Sequence, residues 1–140
     1  QNPGNLIAVA PVPNDQTHQY GIVGVEDPKA KVSTITKMVE KPARGTAPSN
    51  LHITGRYILQ PEIFGILADQ ERGAGGEIQL TDAMIHLMED LKQPFHAVRF
   101  DGKIYDCGSK IGFLTANIAY AMARDDLAPS LQEALKKLLK

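Results

Sequence analysis

Up to Leu59 the apolar positions of the chain fall in short β-prone runs, and beyond it most recur at helical spacing. Leu6 to Val12 is apolar and closed off by Pro11 and Pro13. Tyr20 to Val25 is a short run punctuated by glycines. Val32 to Val39 carries Val32, Thr34, Ile35, Thr36 and Val39 before Pro42 stops it. β-Branched side chains fit a pleated, half-buried surface, so these runs predict three strands. Two prolines, a glycine, Ser49 and Asn50 make Lys41 to Asn50 a loop, and His52 to Leu59 returns as a strand. Gln60-Pro61-Glu62 then opens a helix, with Pro61 where its missing N–H costs nothing.

Glu71 to Gly76 is a glycine-rich loop. After it, Leu80, Met84, Leu87 and Leu91 repeat with a helical period, with Thr81 as the expected N-cap and Pro94 as the stop. Phe95 to Phe100 and Lys103 to Cys107 predict two more strands around an Asp101-Gly102 turn. Ser109 caps a helix bearing Ile111, Leu114, Ile118 and Met122 on one face. Ser130 and Glu133 form the pattern of a capping box for a last helix with Leu131, Leu135 and Leu138. Strands early and helices late predict an α/β fold, a mixed β-sheet with flanking helices, without a clean βαβ alternation.

Composition narrows the function by exclusion. A chain of 140 residues can bury a core of its own, and its formal net charge is only −1. Lysines and arginines are scattered apart from Lys136, Lys137 and Lys140, so there is no basic face for nucleic acid. No apolar run approaches the ~20 residues of a membrane span. The opening, Gln1 to Asn5, is polar and turn-like, unlike a secretory signal. Without an initial Met, the chain reads as a piece of a longer protein. The single cysteine, Cys107, cannot form an internal disulfide, which sets the expectation of a reducing cytoplasm and a buried thiol. His18, His52, His86 and His96 have no metal-ligand spacing with one another or with Cys107.

Candidate chemistry sits where strands end. Glu40-Lys41-Pro42 puts a carboxylate, which can accept from two vicinal hydroxyls, beside an ammonium suited to phosphate. Neighbours on a strand point to opposite faces, so both can serve one ligand only where the strand ends or bends. Taken alone, the pair reads first as solvated charges at a strand end. Tyr20-Gly21 and Gly55-Arg56-Tyr57 place glycines on strands, where a bulge, a turn or a close ligand is needed to justify them. Asp106-Cys107-Gly108-Ser109 joins a strand to a helix. A carboxylate there can take part in an Mg²⁺ site, which uses one or two protein carboxylates with phosphate oxygens and water, or can bond to backbone amides. Glu77 to Ala83 is the longest distinctive string, and it reads first as an amphipathic helix start. No Gly-rich phosphate loop lies between a strand and a helix.

The ordered set of these five segments resembles the C-terminal half of the bacterial UTP–glucose-1-phosphate uridylyltransferases, the UDP-glucose pyrophosphorylases of the nucleotidyltransferase family. The resemblance runs from about Tyr20 to about Leu127. It implies a partial Rossmann-like fold in which residues 1–140 are the sugar-binding part of one domain, with the nucleotide-binding part absent. The implied reaction joins UTP and glucose 1-phosphate into UDP-glucose and pyrophosphate with Mg²⁺. By position, Lys41 is the catalytic residue on the phosphates, Glu40 binds sugar hydroxyls, Gly21, Gly55 and Tyr57 line the sugar, and Asp106 is a metal ligand. The family's Gly-rich nucleotide loop, first phosphate lysine and first metal aspartate have no counterpart here, so the chain alone is expected to be inactive. A thymidylyl- or cytidylyltransferase of the same fold, and a non-catalytic sugar-phosphate-binding or interaction module, are the alternative readings. Two late amphipathic helices add the expectation of a homo-oligomer.

Overall fold

Five strands form one sheet in the computed structural model, which describes residues 4–72 and 76–139. They are β1 (Asn5–Pro11), β2 (Gly21–Val25), β3 (Val32–Glu40), β4 (Leu51–Ile58) and β5 (Phe95–Arg99). Their order is β1-β4-β2-β3-β5, and β5 pairs back onto β1, so the ladder closes. The β1–β5 pairing is parallel and the others are antiparallel, which makes the sheet mixed as the early strand-rich pattern predicts. Strand bounds differ from the sequence reading by a residue or two, because strand ends are set by partners as well as by local preference.

Helices α1 (Ile63–Asp69) and α2 (Leu80–Glu89) pack on each other, and α2 lies against β3. The core joins Ile7 and Val9 of β1, Val23 of β2, Ile35 and Met38 of β3, and Leu51 of β4 to Met84 and Leu87 of α2. The last two are fully buried, as their helical spacing requires. Truncating either to Ala would cost about 2–5 kcal/mol through lost contacts and the cavity left behind. Leu91, assigned to the same face, lies beyond the end of α2 and is exposed, because Lys92 turns the chain at φ 54°.

Asn5 is fully buried at the start of β1, although the sequence around it reads as a loop. Its Nδ2 donates to Gln93 Oε1 at 3.0 Å, and its Oδ1 accepts from the Gln60 N–H at 2.8 Å. One side chain thus ties the segment after β4 to the segment before β5. A buried amide is tolerated because both of its ends are hydrogen-bonded.

Contacts divide the chain into two compact units, Gln1–Phe100 and Asp101–Lys140. The second holds α3 (Lys110–Met122) and α4 (Ala128–Leu138), which pack on each other. Ser109 caps α3 as expected, its Oγ accepting from the Gly112 N–H at 3.0 Å. Arg124 bridges Asp126 through two bonds of 2.7 and 2.9 Å in the turn between the helices. Among the described residues, no helix is long and apolar enough to cross a membrane.

Four local expectations are corrected. Residues 103–107 form no strand, because among the described residues no neighbouring backbone pairs with them. The N-cap of α2 is Gln79, and Thr81 lies inside the first turn. The box at Ser130 and Glu133 does not form, because α4 already begins at Ala128, with Pro129 in its first turn. Cys107 is exposed, not buried, since it lies in the irregular segment before α3.

Candidate functional site

Glu40 is the last residue of β3 and pairs with Gly21, the first of β2. The ladder runs one step further, with the Lys41 N–H donating to the Tyr20 carbonyl at 3.1 Å. Lys41 then adopts φ 43°, a left-handed conformation that costs a non-glycine residue about 1 kcal/mol or more. Strand alternation therefore ends at Glu40. This is the bend that Glu40 and Lys41 need if they are to address one ligand. Pro42 follows and is buried, and the Lys41 side chain is exposed.

The Glu40 carboxylate is held by a residue that the sequence assigns elsewhere. Thr81 Oγ1 donates to Glu40 Oε2 at 2.7 Å, and Thr81 is buried. The hydroxyl sits in the first turn of α2, where the positive end of the helix favours a carboxylate. Gly21 is small because neighbouring side chains occupy the space a Cβ would need. A Cβ there would stand 2.9 Å from Glu40 Oε2, 3.1 Å from Ile53 Cδ1 and 3.4 Å from Thr81 Oγ1. The space over Gly21 is thus filled by Glu40 itself, with Ile53 and Thr81 behind it.

Gly55 is a glycine for a different reason. It has φ +75° and nothing within 4 Å of where a Cβ would be. It lies in a bulge of β4, where residues 54–56 stand opposite the single residue Ala8 between the pairs Val9↔Ile53 and Ile7↔Tyr57. Thr54 Oγ1 donates to the Ala8 carbonyl at 2.9 Å and fixes the bulge. Tyr57 lies just past it and is 36% exposed. Partial burial first, and the Glu40 charge second, push its phenol up from the ordinary value of 10.0. Glu40 and Tyr57 are therefore within electrostatic reach, and Tyr57 stays a hydrogen-bond donor at neutral pH.

His52 is buried beside this strand pair, its ring centroid 4.9 Å from that of Tyr20. Burial pulls its pKa down from 6.5, against a smaller opposing effect from a hydrogen bond at Ile53. It is a buried ring packed against Tyr20.

Asp106 belongs to the second unit. Its Oδ1 accepts from the Gly108 N–H at 2.9 Å, and its backbone carbonyl accepts from Ser109 Oγ at 3.4 Å. Its other carboxylate oxygen makes no hydrogen bond among the described residues. A Cβ on Gly112 would collide with the Asp106 carbonyl, so the approach of this loop to α3 demands glycine. As donor chemistry, one exposed carboxylate with one open oxygen fits a single-ligand share of an Mg²⁺ site completed by phosphate oxygens. Among the described residues, no three His, Cys, Asp or Glu side chains converge as a metal site.

The structure brings Gly21, Glu40 and Lys41 of the predicted site together at the end of β3, and puts Gly55 and Tyr57 on β4, with Gly55 in its bulge and Tyr57 within electrostatic reach of Glu40. The hydroxyl of Thr81 was missed. Its sequence signal, a threonine ahead of an amphipathic helix, points equally to a cap. An open pocket of about 540 Å³, lined by Asn14, Thr17, Gly45, Ala47, Ser49 and Asn50, includes none of the predicted residues.

Comparison with known proteins gives three concordant results. The family model described as nucleotidyl transferase matches residues 1–123. The UTP–glucose-1-phosphate uridylyltransferase of Bacillus subtilis (strain 168) is 45% identical over 137 residues, which are 95% of this chain and 46% of that protein. Among solved structures, a UDP-glucose pyrophosphorylase complexed with UDP-glucose is similar with a TM-score of 0.77 at 40% identity, over 86% of this chain and 45% of that one. A UTP-bound UGPase from Acinetobacter baumannii gives 0.80 at 35% identity, over 96% and 46%. The chain spans about half the length of the relatives it matches.

Proposed function

Because the chain belongs to the nucleotidyl transferase family, we propose that it is the sugar-binding, C-terminal part of a UTP–glucose-1-phosphate uridylyltransferase. In that reaction a phosphate oxygen of glucose 1-phosphate attacks the α-phosphorus of UTP. A new P–O bond forms, the bond to the β-phosphate breaks, and pyrophosphate leaves with its electron pair. Such transfers depend on positioning and charge neutralisation more than on covalent chemistry by the protein.

The observation that carries the reading is the end of β3. A carboxylate fixed by a buried hydroxyl stands next to a lysine whose left-handed backbone breaks the strand. Glu40 is assigned to the sugar hydroxyls, which it accepts as a charged acceptor. Lys41 is assigned to the phosphates as a mobile point charge. Gly21 keeps the Glu40 carboxylate in place, Gly55 leaves open space beside β4, and Tyr57 offers a phenolic donor. Asp106 is assigned one contact to Mg²⁺, which when bound neutralises phosphate charge. A cytoplasmic setting agrees with the single unpaired Cys107. Assembly into a homo-oligomer agrees with the exposed apolar side chains of α3 and α4.

The test uses the full-length protein that contains this chain. Lys41→Ala should lower kcat/KM for pyrophosphate release by about 10²-fold or more, because it removes charge that acts on the transition state. Its Tm should hold, since an exposed lysine adds little stability. Glu40→Gln should mainly raise KM for glucose 1-phosphate, by roughly the 1.5–3 kcal/mol of hydrogen bonds to a charged acceptor. Normal kinetics in both variants would return the pair to solvated surface charge. The 140-residue chain alone should release no pyrophosphate from UTP and glucose 1-phosphate; turnover on the order of 1 s⁻¹ would refute its assignment as a partial site.

A further inference from the structure

We propose that Thr81 is a positioning residue for sugar recognition, its hydroxyl fixing the Glu40 carboxylate so that one oxygen is committed to the protein and the other is presented to the substrate. The proposal rests on the assignment of Glu40 to the sugar hydroxyls. It adds which oxygen is free and what holds the other.

Thr81 Oγ1 donates to Oε2 of Glu40 at 2.7 Å, a short bond of the kind charged acceptors make. Oε1 has no hydrogen-bond partner among the described residues. Left to itself, a glutamate at a strand end has three rotatable bonds and no fixed carboxylate direction. Here three constraints converge. The hydroxyl comes from a buried, β-branched side chain whose χ1 is stiff. The absence of a side chain at Gly21 leaves room for Oε2, which would otherwise meet a Cβ at 2.9 Å. The first turn of α2 contributes favourable potential to the carboxylate. None of the three is needed to cap α2, whose N-cap is Gln79.

A hydroxyl donor at this spot also sorts ligands. It supplies the Oε2 contact that a ligand hydroxyl would otherwise make, and so leaves Oε1 as the acceptor offered to the sugar. A site of this kind favours a substrate whose vicinal hydroxyls reach a single, well-directed carboxylate oxygen, and binds poorly a deoxy sugar phosphate lacking one of them.

The experiment is kinetic, in the full-length protein, with Thr81→Val, Thr81→Ser, Glu40→Gln and the double variant of Thr81→Val with Glu40→Gln. Valine keeps the shape of threonine and removes only the hydroxyl; Thr81→Ala serves the same purpose if valine packs badly. Thr81→Val should raise KM for glucose 1-phosphate about tenfold, the factor of one hydrogen bond to a charged group. KM for UTP should stay unchanged. Thr81→Ser should return the sugar-phosphate KM to within a few-fold of wild type. In the Glu40→Gln background the Thr81→Val effect should largely vanish, since the two act as one unit.

Equal losses for UTP and glucose 1-phosphate, full additivity in the double variant, or a failure of serine to rescue would each overturn the positioning role while leaving Glu40 in place. A Glu40→Gln variant with unchanged sugar-phosphate KM overturns the assignment of Glu40 itself, and this inference with it.

Discussion

Glu40 in the first unit and Asp106 in the second are both carboxylates proposed to carry chemistry, and they are built in opposite ways. Glu40 is half-buried and bonded to Thr81, 41 positions away in sequence. Asp106 is exposed and bonded to the amide of Gly108, two positions on. A motif read along the chain finds both residues, but only the second carries its partner with it. A local turn can be inferred from Asp-x-Gly, whereas a bond that closes a sheet end against a helix start cannot.

The contrast extends to the units that hold them. The first unit buries a contiguous core that runs through β1 to β5 and α2. In the second, Ala116 is the only buried residue among those described, and Ile111, Phe113, Leu114 and Tyr120 are each more than half exposed. Hydrophobic burial sustains the first unit, while two short helices and a bidentate Arg124–Asp126 pair hold the second. A solvent-exposed pair of that kind contributes little to stability.

The largest effect should therefore come from separating the two. Residues 1–100 expressed alone should unfold cooperatively in urea. Residues 101–140 alone should show no cooperative transition, because isolated helices of this length are marginal and so small a unit lacks a core. A sharp transition in the second piece would break the contrast.

Gly21→Ala probes the tertiary carboxylate with a single methyl. The new Cβ would push Glu40 Oε2 off Thr81, and we expect a loss of about 1–2 kcal/mol, at the lower end of overpacking because a carboxylate end can move. Chemical denaturation measures it. Gly112→Ala makes the local counterpart, since there the obstacle is the backbone carbonyl of Asp106, which cannot swing aside. Unchanged stability in Gly21→Ala would mean that Glu40 is not confined as described.

A smaller effect should appear on acidification. Burial lowers the pKa of His52, so the folded protein binds fewer protons there than the unfolded chain between the folded value and 6.5. Its contribution to stability is fully present above pH 6.5 and is lost as pH falls through the folded value. His52→Phe, which keeps an aromatic ring beside Tyr20, should flatten that part of the stability–pH curve. An unaltered slope would place the titrating group elsewhere. In the same region, Glu40→Gln should lower the Tyr57 pKa part of the way toward 10.0 in a spectrophotometric titration, leaving the larger effect of burial.

Asp106→Asn should be the mildest change to the fold. Asparagine keeps an oxygen for the Gly108 N–H, so stability should move by less than about 0.5 kcal/mol. In the full-length protein the Mg²⁺ concentration for half-maximal rate should rise, since a charge is lost and shape is kept. Superimposable Mg²⁺ titrations would leave Asp106 as a residue that shapes the turn before α3 and nothing more.

Much of the fold was legible because it depends on local period. The β-branched runs became β1 to β4, and the 3.6-residue spacing of Met84 and Leu87 became the buried face of α2. Ser109 acts as the cap it was expected to be, because a cap and its amide lie three residues apart. The segment at 103–107 misled for the complementary reason. Its composition suits a strand, but a strand exists only if another backbone accepts its hydrogen bonds.

The sequence by itself determined which residue types stand at the strand and helix ends and the order in which they occur: a carboxylate and lysine ending a strand, glycines on neighbouring strands, an aspartate before a capped helix. Those are properties of side-chain type and short-range backbone preference. The tertiary structure decided what each residue does with its freedom. It closed β5 onto β1, set Gly21 opposite Glu40, placed Lys41 in a left-handed turn, and took Thr81 away from capping to hold a carboxylate. These outcomes depend on partners brought together across the sheet, and no window along the chain contains both halves of such a contact.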